Sequence, residues 1–160
     1  MLALARKLAA ITAVALVGGC SGPDADADAA LRRSDQLQTL RDSAMRIRII
    51  AADQTFTAVL GDSETARDFA SLLPITLTLS DFNRTEKIAD LPRKLSTGDA
   101  PEGVDPVAGD LAYYAPWGNF ALFYRNFSYS PGLVRLGRVE GDAGGLSDLS
   151  PTSVRVEIVT

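Results

Sequence analysis

The residues best placed for chemistry in this chain are an arginine and a glutamate two positions apart, Arg84 and Glu86. They share a polar segment with Phe82 and Asn83, which follows a predicted strand and has no clear hydrophobic period. In such a segment the guanidinium and the carboxylate can face a bound molecule at the edge of a groove. The alternative is a solvated ion pair with no further role.

The composition excludes several kinds of catalysis. The chain has no histidine and only one cysteine, so it has no Ser-His or Cys-His nucleophile pair and no imidazole general base. A zinc site with the usual nitrogen and sulfur ligands is excluded for the same reason. Asp24, Asp26 and Asp28 have the spacing of half a calcium loop, but Ala29 stands where that loop needs glycine. The sequence therefore predicts no metal and no cofactor.

The aromatic side chains are concentrated in one hairpin. Six of the eleven lie between residues 109 and 125: Tyr113, Tyr114, Trp117, Phe120, Phe123 and Tyr124. Strand alternation puts Tyr113 and Tyr114 on opposite faces, and it separates Phe120 from Phe123 in the same way. Only one face of a barrel wall fills the interior, so the other set must cover a helix or line a pocket. The candidate ligand-binding residues are Phe82, Asn83, Glu86, Tyr113, Tyr114, Trp117 and Phe123, with core packing as the alternative for any single ring.

Short alternating segments dominate the elements that must position these residues. The pattern predicts strands beginning at Met45 and over residues 55–60, 75–79, 110–115, 120–124 and 133–139, with a last one through Val154, Val156 and Ile158. One good helix is predicted between Gly61 and Pro74, capped by Asp62 or Ser63. Residues 80–95 are expected to be irregular or a broken strand, and residues 96–109 to be a loop. A mainly β protein, with a closed or nearly closed antiparallel barrel and one main α-helix, fits this order because closure removes exposed edges.

The N-terminal segment has the features of an export signal. A basic start at Arg6 and Lys7 precedes ten apolar residues, which are too few to span a bilayer. The following "VGGC" resembles the bacterial lipoprotein box, which implies cleavage before Cys20 and lipidation of its sulfur and amine. A cleaved soluble signal or an ordinary N-terminal helix is the alternative. An unpaired cysteine in an exported protein needs an explanation, and lipidation supplies one.

Three segments follow from this organisation: a lipoprotein signal peptide at residues 1–19, the lipidated Cys20 with a flexible tether at 20–44, and the barrel domain at 45–160. A short helix is also predicted within residues 30–44, because Leu37 and Leu40 would share one face. Cleavage would remove two positive charges and change the formal net charge from −4 to −6. An acidic chain without a basic block argues against a nucleic-acid partner and leaves the lipid as the membrane contact.

The aromatic hairpin "GDLAYYAPWGNFALFYR", followed by "YSPGLVRLGRVEG", resembles the bacterial cyclophilin-like domain family. The resemblance covers about residues 45–141 and implies a cyclophilin-like barrel. Phe82-Asn83-Arg84 is similar to the Phe-His-Arg of true cyclophilins, which are peptidyl-prolyl isomerases, and this implies Arg84 as a catalytic guanidinium. The glutamine, the histidine and the Gly-rich loop of those enzymes have no counterpart in this sequence.

The function expected from these observations is binding of a small molecule or proline-containing peptide in an aromatic-lined groove, without established catalysis. The alternative is a prolyl isomerase acting on cell-envelope proteins, and a purely structural module is a third possibility. The expected location is the bacterial cell envelope. A diderm cell would hold the lipid anchor in the outer membrane or periplasm, and a monoderm cell on the outer face of its plasma membrane.

Overall fold

The computed structural model describes residues 28–36, 44–149 and 152–159. Residues 28–36 form a helix, α1, with every side chain exposed, in a unit separate from the rest of the chain. This helix lies within the segment predicted as a tether. The predicted signal peptide and Cys20 lie outside the described residues. Within the described ranges, no helix has both the length and the apolar character needed to cross a membrane.

Residues 44–149 and 152–159 contain ten strands, one α-helix and one 3-10 helix. The strands are β1 Arg46–Ile50, β2 Thr55–Leu60, β3 Ile75–Phe82, β4 Glu86–Asp90, β5 Gly103–Val104, β6 Asp110–Tyr114, β7 Asn119–Phe123, β8 Ser130–Pro131, β9 Leu133–Val139 and β10 Thr152–Ile158. The helix α2 spans Glu64–Ala70, and the 3-10 helix spans Gly144–Asp148.

Eight of these strands close into an antiparallel barrel in the order β1-β10-β3-β4-β7-β6-β9-β2. The first strand closes the ring by pairing with both β2 and β10. The short strands β5 and β8 pair only with each other. The predicted mainly β fold with a closed antiparallel barrel is therefore confirmed, and no edge of the barrel sheet is left unpaired.

Alternation along each strand fills the barrel. Ile47 and Ile49 of β1, Leu111 and Tyr113 of β6, and Phe120 and Leu122 of β7 all belong to one buried cluster. Helix α2 adds to that cluster through Phe69, whose ring stacks on Phe120 at 5.5 Å between centroids. Ser63 caps this helix, because its Oγ accepts a hydrogen bond from the backbone N–H of Ala66 at 3.1 Å.

Three element predictions were incomplete. Strand β3 continues to Phe82, and residues 86–90 form the regular strand β4, in the stretch that was expected to be irregular or a broken strand. The expected loop at residues 96–109 contains β5. Met45 precedes β1 and is 37% exposed, although alternation placed it with the buried isoleucines.

Candidate functional site

A second, smaller apolar cluster lies on the outer face of the barrel wall. It consists of Ala112, Ala121, Phe123 and Leu133, with Ile88, Val104 and Tyr114 packed against it. Apart from Val104 of β5, these residues alternate with the interior side chains of β4, β6, β7 and β9, so they point away from the barrel centre. The two faces of the aromatic hairpin thus serve different purposes, because one fills the barrel and the other forms a surface.

This outer face forms the floor of a pocket of about 150 Å³. The walls come from the β3–β4 hairpin, from the β6–β7 turn and from the segment that carries β8. The lining residues are Phe82, Asn83, Thr85, Glu86, Ile88, Tyr114, Trp117, Asn119, Ala121, Phe123, Phe127, Ser130 and Leu133. Six of the residues proposed from the sequence are therefore brought together: Phe82, Asn83, Glu86, Tyr114, Trp117 and Phe123.

Trp117 is positioned by the tight turn between β6 and β7. The backbone N–H of Gly118 donates to the carbonyl of Tyr114 at 2.8 Å, and Gly118 has φ +78°, a conformation that glycine adopts without strain. The indole is 60% exposed and lies against Phe82 and Tyr114, with centroid distances of 5.6 and 5.4 Å. Both contacts are nearly perpendicular, at 88° and 81°. Trp117 therefore joins the two hairpins at the edge of the pocket.

The wall that carries Phe127 and Ser130 is held by backbone pairing and by charge. The N–H of Phe127 donates to the carbonyl of Pro106, and Val104 pairs with Ser130. Behind this segment, the buried carboxylate of Asp110 accepts from Arg135 at 2.9 Å and pairs with Arg138 at 3.2 Å. These contacts join β6 to β9, and Arg135 also donates to the carbonyl of Asp105 at 3.0 Å, next to the Pro106 carbonyl that holds Phe127.

Glu86 is the first residue of β4 and lies opposite Phe82 and Phe123 on the neighbouring strands. Its carboxyl group is half-buried among aromatic rings, and burial raises its pKa to about 7. Within the described part of the chain, no side chain pairs with this carboxyl group. The alternative interpretation, an ion pair between Arg84 and Glu86, has no counterpart among the contacts of the described residues.

Arg84 lies in the turn between β3 and β4 and does not line the pocket. Asn83 and Arg84 have φ values of 53° and 55°, and the N–H of Thr85 donates to the carbonyl of Phe82 across the turn. Asp81 supports this conformation, since its Oδ2 accepts from the N–H of Arg84 at 3.1 Å. Arg84 is therefore exposed at the tip of the hairpin, beside the wall and not in it.

On the opposite face of the same strands, Lys87 is 1% exposed and donates from Nζ to Oδ1 of Asp81 at 2.8 Å. The hydroxyl of Tyr124 donates to the same oxygen at 2.6 Å, and the ammonium lies 5.0 Å from the Tyr124 ring centroid. The hydrogen bond from Lys87 lowers the pKa of Asp81, and burial is the largest of the effects that raise the pKa of Tyr124 to about 12. This network links β3, β4 and the end of β7 behind the pocket.

Tyr113 is the one proposed ligand-binding residue that the structure places elsewhere. It is 1% exposed inside the barrel, and its hydroxyl accepts from the backbone N–H of Leu95 at 3.1 Å. The other lining residues were not predicted from the sequence: Thr85, Ile88, Asn119, Ala121, Phe127, Ser130 and Leu133. The same alternation that selected Tyr114 and Phe123 also applies to Asn119 and Ala121, and that signal was present in the sequence.

Within the described ranges, no group of three or more histidine, cysteine, aspartate or glutamate residues is arranged to hold a metal ion. The pocket itself contains one carboxyl group, Glu86. Its other polar groups are uncharged side chains, so its chemistry is that of a binding site with one titratable acid.

Comparisons with known proteins agree with this architecture. The profile of the Cyclophilin-like family matches residues 49–159. The solution structure of the hypothetical protein AF2241 from Archaeoglobus fulgidus is similar, with a TM-score of 0.52 and 25% sequence identity over 71% of this chain and 94% of that chain. No curated protein matches the sequence. The family match spans more than half of the chain and includes every strand that builds the pocket, so the chain belongs to the Cyclophilin-like family.

Proposed function

We propose that this domain binds a small molecule, or the side chain of a short peptide, in the aromatic pocket on the outer face of β4, β6 and β7. The observation that carries the proposal is the pocket itself, with aromatic walls and a small apolar floor at Ala121. The barrel gains no stability from exposing Trp117 and Phe127 to water, and exposed apolar surface next to a cavity is typical of a binding site.

The pocket volume limits the ligand. An apolar cavity of roughly 150 Å³ is large enough for one six-membered ring, and the pocket has about that volume. A single ring, a compact branched group or one amino-acid side chain therefore fits, with the rest of the ligand lying across Trp117 or Phe127. A nucleotide or another extended cofactor would leave most of its surface outside.

Prolyl isomerisation is the second candidate, because the same volume accommodates a proline ring. Rotation about an X–Pro bond has a barrier of about 18–20 kcal/mol, and a guanidinium beside the twisted amide would lower it. However, neither arginine nor lysine is among the lining residues, and Arg84 lies at the hairpin tip. Binding without isomerisation is therefore the proposal that the geometry supports better.

Ligand-observed NMR with a set of single-ring compounds and proline-containing dipeptides tests binding. We expect signals of bound ligand with the wild-type chain and their loss in Ala121→Leu, which fills the floor. The matched control is Ala112→Leu, because Ala112 pairs with Ala121 across the sheet and does not line the pocket. Amide spectra establish that each variant is folded. Failure of every compound to bind the folded wild-type chain would contradict the proposal.

Exchange NMR on an Ala-Pro peptide tests isomerisation separately. We expect the cis–trans exchange rate to equal the uncatalysed rate, with or without Arg84→Ala. Acceleration by the wild-type chain that is lost in Arg84→Ala would support the isomerase and contradict non-catalytic binding.

We also propose that the chain is a lipoprotein of the bacterial cell envelope, attached through Cys20. This proposal is supported by the order of basic start, apolar run and "VGGC" in the sequence, and by the lack of any other cysteine. Lipid attachment would hold the pocket near a membrane surface. The ligand would then bind outside the cytoplasm.

A further inference from the structure

The lining of the pocket has an unusual chemical balance. Five aromatic rings and one carboxyl group face the cavity, and the lining contains no arginine or lysine. The rings belong to Phe82, Tyr114, Trp117, Phe123 and Phe127. Aromatic faces carry partial negative charge, so the walls and the carboxyl group favour the same sign of ligand charge.

Glu86 supplies the formal charge. Its carboxyl group is half-buried beside the rings and has no charged or hydrogen-bonding side-chain partner in the described part of the chain. A carboxylate in this environment is poorly solvated, and a partner that brings positive charge would compensate for the lost water. Arg84 and Arg125 are near in sequence but lie outside the lining, so no cation of the chain fills this role within the pocket.

Asn119 provides an independent observation. It lines the pocket at its floor, is 3% exposed, and its Oδ1 is buried without a hydrogen-bond partner among the described residues. An unsatisfied buried acceptor costs free energy unless a donor reaches it. The Asn119 amide and Glu86 thus both favour a ligand that brings donors or positive charge.

We propose that the ligand is a small organic cation whose ammonium head enters this pocket, held by the aromatic walls and the Glu86 carboxylate. The inference rests on the proposed binding function and specifies the class of ligand for that same site. Phe82 and Tyr114 each meet Trp117 nearly at right angles. Rings at right angles enclose a compact, rounded group better than they sandwich a flat one, and a methylated or primary ammonium has that shape.

A neutral ligand of the same shape would gain only apolar contact, and it would leave the carboxyl group to desolvate without compensation. An anionic ligand would be repelled by the rings and by ionised Glu86. Only a cation is attracted both by the aromatic rings and by ionised Glu86. Cation–π contact in a partly desolvated site favours the cation over a neutral group of equal size by roughly tenfold or more in affinity.

Cation binding in this pocket is coupled to pH. Glu86 must be ionised to pair with the ligand, and its pKa in the free protein is about 7. The affinity for a permanently charged ligand therefore rises as the pH increases from about 6 to about 8, by up to about tenfold. Asp81 and Lys87 pair with each other on the opposite face, and Asp110 of β6 pairs with Arg135 and Arg138 of β9. The remaining titratable or charged groups on the packed elements are Tyr114, Asp90, Tyr129, and Arg84 and Arg125 beside the hairpin.

An isosteric pair of probes tests the inference. Choline and 3,3-dimethylbutan-1-ol differ by one atom, a cationic nitrogen in place of carbon, and 3,3-dimethylbutanoate supplies the anionic case. Each is titrated into the purified chain while the indole resonance and fluorescence of Trp117 are followed. Since Trp117 is the only tryptophan in the sequence, both signals report on this pocket. We expect choline to bind at least about tenfold more tightly than the alcohol, and the carboxylate to bind most weakly.

Two variants separate the contributions. Glu86→Gln keeps the shape of the side chain and should reduce the preference for choline to the part that the rings supply, and it should abolish the pH dependence of choline binding. Phe82→Leu keeps apolar contact without a π face, and it should weaken choline binding several-fold while leaving the alcohol unchanged. Asp90→Asn is the matched control, because it removes one negative charge from β4 outside the lining and should leave the preference intact.

The outcomes distinguish this inference from the proposed function. Equal or tighter binding of the neutral alcohol, or of the carboxylate, would overturn the cation inference and leave the binding pocket standing. Absence of binding by all three probes to the folded wild-type chain would overturn the cation inference, and binding of the single-ring compounds would then decide the proposed function. If Glu86→Gln fails to fold, the pH dependence of choline binding to the wild-type chain tests the cation inference instead. Choline has no ionisable amine, so any pH dependence of its binding must come from the protein.

Discussion

Glu86 lowers the free energy of unfolding by an amount that depends on pH. Its pKa is about 7 in the folded chain against an ordinary value of 4.5. Between these values the folded state binds more protons than the unfolded state, so the free energy of unfolding decreases as the pH rises from about 4.5 to about 7. Above about pH 7 the destabilisation is complete, and below about pH 4 it is absent.

Glu86→Gln should remove this destabilisation. The amide has nearly the same shape and no charge to desolvate, so we expect the variant to be about 1–3 kcal/mol more stable than the wild type at pH 8. At pH 4 the two chains should unfold at the same denaturant concentration, because the wild-type carboxyl group is then protonated. Urea unfolding followed by Trp117 fluorescence at both pH values measures the difference. A variant with the wild-type stability at pH 8 would contradict a desolvated carboxyl group.

Alternation explains how far single residues of the site were predictable. It separates Tyr113 from Tyr114, but it does not say which of the two faces the interior. The structure resolves the choice through Leu95, whose backbone N–H meets the Tyr113 hydroxyl from a loop 18 positions earlier in the chain. A contact between residues 18 positions apart does not show in the alternation of a single strand. Tyr113 was therefore grouped with the pocket residues.

The β3–β4 hairpin was predicted only as an irregular stretch or a broken strand, and its turn gives the reason. Two consecutive residues with positive φ are usually marked by Asn-Gly, whereas this turn uses Asn83 and Arg84. Asparagine adopts this conformation readily, but arginine does so only with support, which Asp81 supplies. Without glycine the turn signal was weak, and the alternation of β4 was hidden by the buried Lys87.

Asp81 should therefore matter more to this hairpin than an exposed carboxylate normally would. Asp81→Ala removes the acceptor of the buried Lys87 ammonium, of the Tyr124 hydroxyl and of the Arg84 N–H, and we expect a loss of about 2–4 kcal/mol. Tyr124→Phe removes one of these bonds and leaves Lys87 paired, so its loss should be about 1 kcal/mol. Urea unfolding of both variants provides the comparison. Equal losses would show that the ammonium does not depend on Asp81.

Hydrogen bonds of the Asp68 carboxylate connect helix α2 to the loop after β4. Its Oδ1 accepts from Arg93 at 2.5 Å, and its Oδ2 accepts from the N–H of Ser96 at 2.8 Å. The hydrogen bond from Arg93 is the largest of the effects that lower the pKa of Asp68 to about 2. Asp68 therefore stabilises the fold fully above about pH 4, and this stabilisation is lost as the pH falls towards 2.

Asp68→Asn should cost about 1 kcal/mol at pH 7, since the site is partly exposed and solvent screens the ion pair. The difference from the wild type should shrink below pH 4 and be small near pH 2, where about half of the wild-type carboxyl groups are protonated. Thermal unfolding across this range measures it, with the exposed Asp53→Asn as the control. A difference that stays constant with pH would show that shape, and not charge, fastens the helix.

At the scale of the whole molecule, the closed barrel could be predicted because closure depends on a repeated pattern rather than on any one contact. Each strand shows alternation, and eight strands with one covering helix have few ways to hide all their edges. The order of the strands around the barrel was not available from alternation. It brings β1 to β10 across 109 positions, as in the pair Arg48 and Glu157. The pocket depends on that order because β4, β7 and β6 must be neighbours to form its floor.

The proposed anchor determines where such a pocket would work, and Cys20 offers a direct test. Cys20→Ser leaves the apolar run intact but removes the sulfur that would be alkylated. We expect the wild-type chain to incorporate radiolabelled palmitate and to stay with the membrane fraction after a high-salt wash, because several acyl chains give stable attachment. The variant should take up no label. A labelled Cys20→Ser chain, or an unlabelled wild type, would contradict lipidation. The pocket should bind its ligand equally well in both chains, since every residue that lines it lies in the barrel domain.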